Sequence, residues 1–212
     1  MSQPTTASSR VRLTPERRRE QLLDLGVRLF AHRPVEEISI EVLAEEAGVS
    51  RGLMYHYFGN KRDFREAVCR RAAADLVEQT APPVEGDPLE RLLASVTAYL
   101  DYVIGNYEVY LSLVRSAQSG NQTLRAVYDE ARSALTDRIF TEDAQGSVIP
   151  DTPAARLLVR GWAAMAEELV LAWMAEPGDV TRAQLLDLVA GSLPALVTTL
   201  PNGEGPAGQD RS

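Results

Sequence analysis

Apolar residues recur along this chain at intervals of three and four, the spacing that lines one face of a helix. Leu22, Leu25, Gly26, Leu29 and Phe30 make the first such stripe. It is entered through Thr14-Pro15-Glu16, which supplies a cap, a proline at the first helical position and an acid in the first turn. It runs to about His32, and Pro34 ends it. Ile40, Leu43, Ala44 and Ala47 repeat the period over a shorter span. Ser39 precedes them as an N-cap, and Gly48 stops the helix because glycine takes the left-handed position after a helix at little cost. Val49 should tuck under the turn. Ser50 then caps a third helix, Arg51 to Tyr57. Leu53, Met54 and Tyr57 are spaced to hold it on a core, which leaves Arg51, Gly52, Tyr55 and His56 facing out. Asn60 caps a fourth helix, Lys61 to about Gln79, with Phe64, Ala67, Val68 and Cys69 inward.

Prolines and glycines divide the remainder of the chain. Ala81-Pro82-Pro83-Val84-Glu85-Gly86-Asp87-Pro88 breaks the helical pattern and restarts it, with Asp87 as cap and Pro88 at the first helical position. Leu92, Val96, Tyr99, Leu100 and Val103 line a helix that ends at Gly105-Asn106. A shorter one runs from Tyr107 to about Ala117. Asn121 caps the next, which runs to about Phe140. Asp143 to Pro150 reads as a loop. The last two helices span about 153–175 and 181–199, with Pro194 expected to kink the final one or end its regular part. The pattern predicts an all-α chain of about nine helices.

Composition narrows the function classes. At 212 residues the chain allows one or two domains, and 45% apolar content supports a substantial core. It has no apolar run long enough to span a membrane and no apolar middle in MSQPTTASSR to suggest a signal peptide. A lone cysteine, Cys69, excludes an intrachain disulfide and fits a reducing cytoplasm. His32, His56 and Cys69 all fall in the first third, at no metal-ligand spacing. A phosphate loop or nucleophile elbow is also lacking, so neither an enzyme nor a cofactor is expected. Net charge is −8, yet residues 1–80 carry 13 Arg and Lys against 12 Asp and Glu, while residues 81–212 carry 9 against 18. A face that meets nucleic acid must then be local, small and in the first part of the chain.

Two short helices joined by a glycine-containing turn form a helix-turn-helix, which offers its second helix to the DNA major groove. The runs Ala44-Glu45-Glu46-Ala47-Gly48-Val49-Ser50, Leu53-Met54-Tyr55-His56-Tyr57-Phe58 and Asn60-Lys61-Arg62-Asp63-Phe64 carry more than that pattern. From about Thr14 to about Ala74 the chain resembles the DNA-binding domain of TetR-type transcriptional regulators. The resemblance implies an N-terminal three-helix domain, its helix-turn-helix at about 39–58, joined by a long helix to a larger helical domain for effector binding and dimerisation. The expected division is a disordered arm at 1–13, a DNA-binding domain at 14–80, an effector and dimerisation domain at 81–200, and a disordered tail at 201–212.

Residue by residue, Arg51 is the candidate for base readout, since a guanidinium can bond guanine O6 and N7 together. Gly52 admits close backbone approach. Tyr55 is expected on phosphate or a thymine methyl, and His56 on phosphate or a base edge. Ser39 and Lys61 are expected at the DNA backbone, and Ser50 among the DNA-binding residues. Residues 1–13 read first as a solvated tail, with Arg10 and Arg12 reaching a minor groove or phosphates as a flexible arm the alternative.

By the same resemblance the body should hold an effector pocket. Tyr99, Tyr102, Tyr110, Tyr128, Trp162 and Met165 supply an aromatic-rich lining, Arg115, Arg125 or Arg160 could meet an acidic group, and Glu168 a cation. The two C-terminal helices are too apolar around their circumference for one core face each, which suits a homodimer joined through them. The function expected is a repressor that binds an inverted-repeat operator as a dimer and is released by a small apolar or amphipathic effector. An activator, or an effector-independent DNA-binding protein of the same fold, is the alternative.

Overall fold

The computed structural model describes residues 14–143 and 148–200. Among them are nine α-helices and no strand: α1 (Pro15–Phe30), α2 (Ile40–Glu46), α3 (Arg51–Phe58), α4 (Lys61–Gln79), α5 (Pro88–Gly105), α6 (Tyr107–Gln118), α7 (Gln122–Glu142), α8 (Pro153–Ala175) and α9 (Arg182–Val197). A single 3-10 turn, Val35–Glu37, sits between α1 and α2. Arg10, Arg12 and the segment 201–212 lie outside the described residues.

Polar caps set the helix starts. Thr14, Ser39, Ser50, Asn60, Asn121 and Thr152 each accept a first-turn backbone N–H on a side-chain oxygen. Asp87 and Thr181 form reciprocal capping boxes with Glu90 and Gln184. Each cap is worth about 0.5–2 kcal/mol against alanine. Pro194 does not end α9. The helix continues through it to Val197, with Leu193 buried and the Thr198 N–H closing on the Pro194 carbonyl at 3.3 Å. The proline forfeits the bond its N–H would have given the Ala190 carbonyl, but the turn beyond it still closes.

Two apolar clusters make the core. The first joins α1 to α4 and includes Leu22, Phe30, Leu43, Met54, Phe64, Val68 and Cys69, but Val109 and Leu113 of α6 and Leu124 of α7 complete it. The second is built from α5 to α9 around Leu100, Val159, Trp162, Val170 and Leu185, with Leu76 from α4. α4 therefore belongs to both. Full burial of each large side chain contributes about 1.5–3 kcal/mol, so α4 cannot shift without disturbing both clusters.

Polar contacts tie the first four helices to the rest. Arg65 of α4 donates to Ser112 Oγ at 3.0 Å and Ser116 Oγ at 2.7 Å on α6. The Tyr102 hydroxyl donates to the Ala72 carbonyl at 2.7 Å, and Asn121 Nδ2 to Glu66 Oε1 at 3.0 Å. Within the first four helices, Arg71 bridges α4 to Glu20 and Asp24 of α1. No described helix is long and apolar enough to cross a membrane.

Candidate nucleic-acid interface and a buried cavity

The turn between α2 and α3 is built from the backbone outward. Gly48 takes φ +62°. Its N–H donates to the Glu45 carbonyl at 3.0 Å, while the Val49 N–H reaches back to the Ala44 carbonyl at 2.9 Å. This pair of bonds is a Schellman closure, which needs a left-handed residue at Gly48 and an apolar one after it. Val49 packs on the first core cluster, and Ser50 accepts the Leu53 N–H at 3.2 Å. Met54 and Phe58 are buried, with Leu53 and Tyr57 half-buried, so α3 is pinned by one side. Arg51, Gly52, Tyr55 and His56 are exposed on the other. Tyr55, at 44% exposure, is a large aromatic held in solvent at the centre of this face.

Ser39, Arg51 and Lys61 converge on Glu41, a residue that sequence patterning alone does not single out. Arg51 forms an ion pair with its carboxylate. The carboxyl is held below its usual range by its own backbone N–H first, then by the Ser39 hydroxyl, with the charges of Arg51 and Lys61 adding to these. Lys61 is half-buried at the first position of α4, where Asn60 accepts the Asp63 N–H at 2.9 Å. Ser39 also accepts the Val42 N–H at 3.3 Å. The acid in the first turn of α2 is legible in the sequence as a favourable dipole partner; its reach across to α3 depends on how the two helices are set.

The second feature is a cavity of about 120 Å³, room for about ten waters at roughly 10–15 Å³ each. Tyr99, Tyr110, Tyr128 and Trp162 line it. Tyr102, Arg115 and Met165 lie elsewhere. Tyr102 turns to α4, where its hydroxyl is bonded to Ala72. Arg115 is exposed on α6 beside Pro34 and Val35. Met165 looks outward from α8 at 36% exposure. Arg125, Arg160 and Glu168 are exposed too. The charged groups in the wall are instead Arg91, Arg132, Arg138, Glu142, Asp143 and Glu167.

At the inner end Glu167 gathers a closed network. Tyr110 donates to Glu167 Oε2 at 2.6 Å and Tyr128 to Oε1 at 2.8 Å. Arg132 donates to the Tyr128 hydroxyl at 2.6 Å, and the hydroxyls of Tyr99 and Tyr110 lie 3.2 Å apart. Burial, reinforced by the nearby carboxylate, pushes Tyr110 well above the usual phenol range and Tyr128 up to about 12. These phenols stay protonated and serve as donors. Helix phase is the signal that finds Glu167, which stands four residues after Ala163 and eight after Val159. The Trp162 indole N–H is spent on the Val189 carbonyl and Ser192 Oγ, both at 3.1 Å. Midway along the wall, Ser95 Oγ is buried with no hydrogen-bond partner. Among the described residues no grouping of His, Cys, Asp and Glu could hold a metal ion.

Comparison with known proteins agrees on both halves. Residues 22–68 match the family of bacterial regulatory proteins of the tetR family, and residues 88–192 match the tetracyclin repressor-like C-terminal domain. A tetR-family transcriptional regulator from Streptomyces coelicolor superposes with a TM-score of 0.77 at 32% identity, over 87% of this chain and 82% of that one. The HTH-type transcriptional activator FasR of Mycolicibacterium smegmatis is 26% identical over 77% of this chain and 75% of its own length. FadR from Bacillus subtilis, solved in complex with stearoyl-CoA, shares the fold at 21% identity with a TM-score of 0.63, covering 85% and 98% of the two chains.

Proposed function

The chain belongs to the TetR family of DNA-binding transcriptional regulators, and on that premise we propose that it is a dimeric, ligand-responsive repressor of an inverted-repeat operator. The observation that carries the DNA half is the outward face of α3. It holds Arg51, Gly52, Tyr55 and His56 together on a helix whose other side is locked by Met54 and Phe58. In this reading Arg51 bonds a guanine edge, Gly52 admits the backbone, and Tyr55 and His56 meet phosphate or base edges. Ser39, Ser50 and Lys61 hold the flanking DNA backbone, as residues at helix N-termini can.

The effector half rests on the cavity lined chiefly by α5, α7 and α8, with Leu76 of α4, Tyr110 and Leu113 of α6 and Val189 of α9. Its apolar wall and internal polar network suit an amphipathic small molecule. The FadR neighbour was solved with such a ligand. Helix α4 lies in both apolar clusters, so an occupant that favours one placement of α4 shifts the separation of two heads by population shift. The division at about residue 80 is read as a DNA-binding part and an effector part that share this helix.

Dimerisation is supported by an outward stripe on α8 and α9. Leu157 is 71% exposed and Leu188 54% exposed, with small residues Gly161, Ala164 and Gly191 exposed between them. Small residues along such a stripe let a second pair of helices approach closely, and a twofold arrangement matches an inverted repeat.

An activator is the second reading, favoured by the FasR relative, itself an activator. The test is a footprint and a reporter on the inverted repeat beside the protein's own gene. A repressor protects that repeat, lowers transcription, and loses affinity when an amphiphile binds. Protection with raised transcription assigns the activator instead. A bound ligand with no effect on DNA affinity would break the coupling claim.

A further inference from the structure

The three arginines and three carboxylates in the cavity wall do not pair off evenly. At the inner end Glu167 already accepts from two phenols, with Arg132 at 3.9 Å and its guanidinium 5.9 Å from the Tyr128 ring centre. A cationic ligand would find both the carboxylate and the aromatic face occupied by the protein's own groups. At the mouth Arg91 pairs with Glu142 and donates to the Pro83 carbonyl at 2.8 Å. Asp143 accepts the backbone N–H groups of Val148 at 2.6 Å and Ile149 at 3.1 Å.

Arg138 is different. It donates to the Val77 carbonyl at 2.7 Å and to Thr80 Oγ1 at 3.4 Å, both uncharged acceptors, and forms no ion pair among the described residues. Its charge is met only by the C-terminal end of α4. The wall of α5 that faces the cavity runs from Pro88 to Tyr99, about 16 Å along the helix axis at ~1.5 Å per residue. Between the mouth and Trp162 that wall and its facing side on α7 are mainly apolar, through Leu92, Val96, Leu135 and Ile139, with Ser95 the polar exception on α5 and the Thr136 hydroxyl on α7 turned to the Arg132 carbonyl at 3.0 Å.

We propose that the cavity takes an amphiphile with an anionic head and one extended apolar chain, the head on Arg138 and the chain running toward Trp162. This rests on reading the cavity as the effector site. The same contact supplies the coupling. A carboxylate offers the guanidinium an opposite full charge and two parallel bonds, where a neutral carbonyl offers only one bond and a dipole. The head therefore draws Arg138 away from Val77 and uncaps the last turn of α4, the helix shared with the DNA-binding head. An uncharged ligand leaves that bond in place and occupies the cavity without acting on α4.

The test is calorimetric titration of the full chain with dodecanoate, dodecanol and dodecyltrimethylammonium, each below its micelle concentration. Dodecanoate is expected to bind tighter than the other two by about tenfold or more. Arg138→Gln should bring dodecanoate down to the level of dodecanol and leave dodecanol unchanged, which also shows that the variant is folded. Arg138→Lys, which keeps the charge, should keep most of the preference. Equal binding of the three heads, preference for the ammonium, or an Arg138→Gln protein that binds dodecanoate as before would each overturn the proposal and leave the effector reading standing. Failure of all three to bind would remove both.

Discussion

Glu41 is the residue on which the proposed recognition face turns. It is an exposed acid among groups expected to meet phosphate and bases, and it holds Arg51 while the protein is free. To reach a guanine, Arg51 must exchange a carboxylate for a base edge, and the carboxylate left behind faces the DNA backbone. Glu41→Gln should therefore raise affinity for operator and unrelated DNA alike, a few-fold at low salt, and the gain should fade as salt screens it. Titrations at two salt concentrations measure this; weaker binding by the variant would mean that Glu41 positions Arg51 rather than restrains it. Arg51→Ala should cost about 1–3 kcal/mol at one base pair and relax preference there. Lys61→Ala should weaken all sequences alike and lower the salt slope by about one. An operator preference untouched by Arg51→Ala would remove the base-readout assignment.

At the scale of the helices, packing between neighbours decides what a single period cannot. The stripe on α1 places Gly26 on the inner face, and the structure gives the reason for glycine there. A Cβ would sit 2.5 Å from Val68 Cγ2 and 2.8 Å from Phe64 Cζ on α4. Both are fully buried side chains with nowhere to retreat. Gly26→Ala should thus destabilise the protein by about 1–3 kcal/mol through overpacking, despite the better helix propensity of alanine. Thermal melting checks it; an unchanged or raised midpoint would show that α1 and α4 can separate freely. The helix limits were legible because caps, prolines and periodicity are local, and α4 and α8 begin and end where those signals put them. Which residues line the cavity was half legible. Tyr99, Tyr110, Tyr128 and Trp162 follow from size and polarity. Glu167 was missed for its neighbour Glu168, and Arg138 for Arg115, because choosing between them requires knowing which partner each helix face meets.

Across the whole molecule, charge and symmetry have to be reconciled. The chain from residue 81 onward carries a net −9 and the first 80 residues only +1, so one head offers phosphate little attraction. The proposed pair of heads on a twofold axis, facing half-sites roughly 34–36 Å apart, would recover affinity by making the second contact intramolecular. In the proposed dimer the exposed leucines of α8 and α9 carry the DNA function though they lie far along the chain from α3. Introducing carboxylates at both, Leu157→Glu with Leu188→Glu, places charge on a face that should be dry between two copies and is wet in one. Sedimentation should report the single-chain mass for the double variant and twice that for the parent. Because both positions are solvent-exposed within one chain, the helical content of the variant should not change. Operator affinity should fall by orders of magnitude while affinity for a lone half-site stays near that of one parent head. A double variant that remains paired would move the interface to another face, and one that separates yet holds the operator as tightly as the parent would show that a single head suffices.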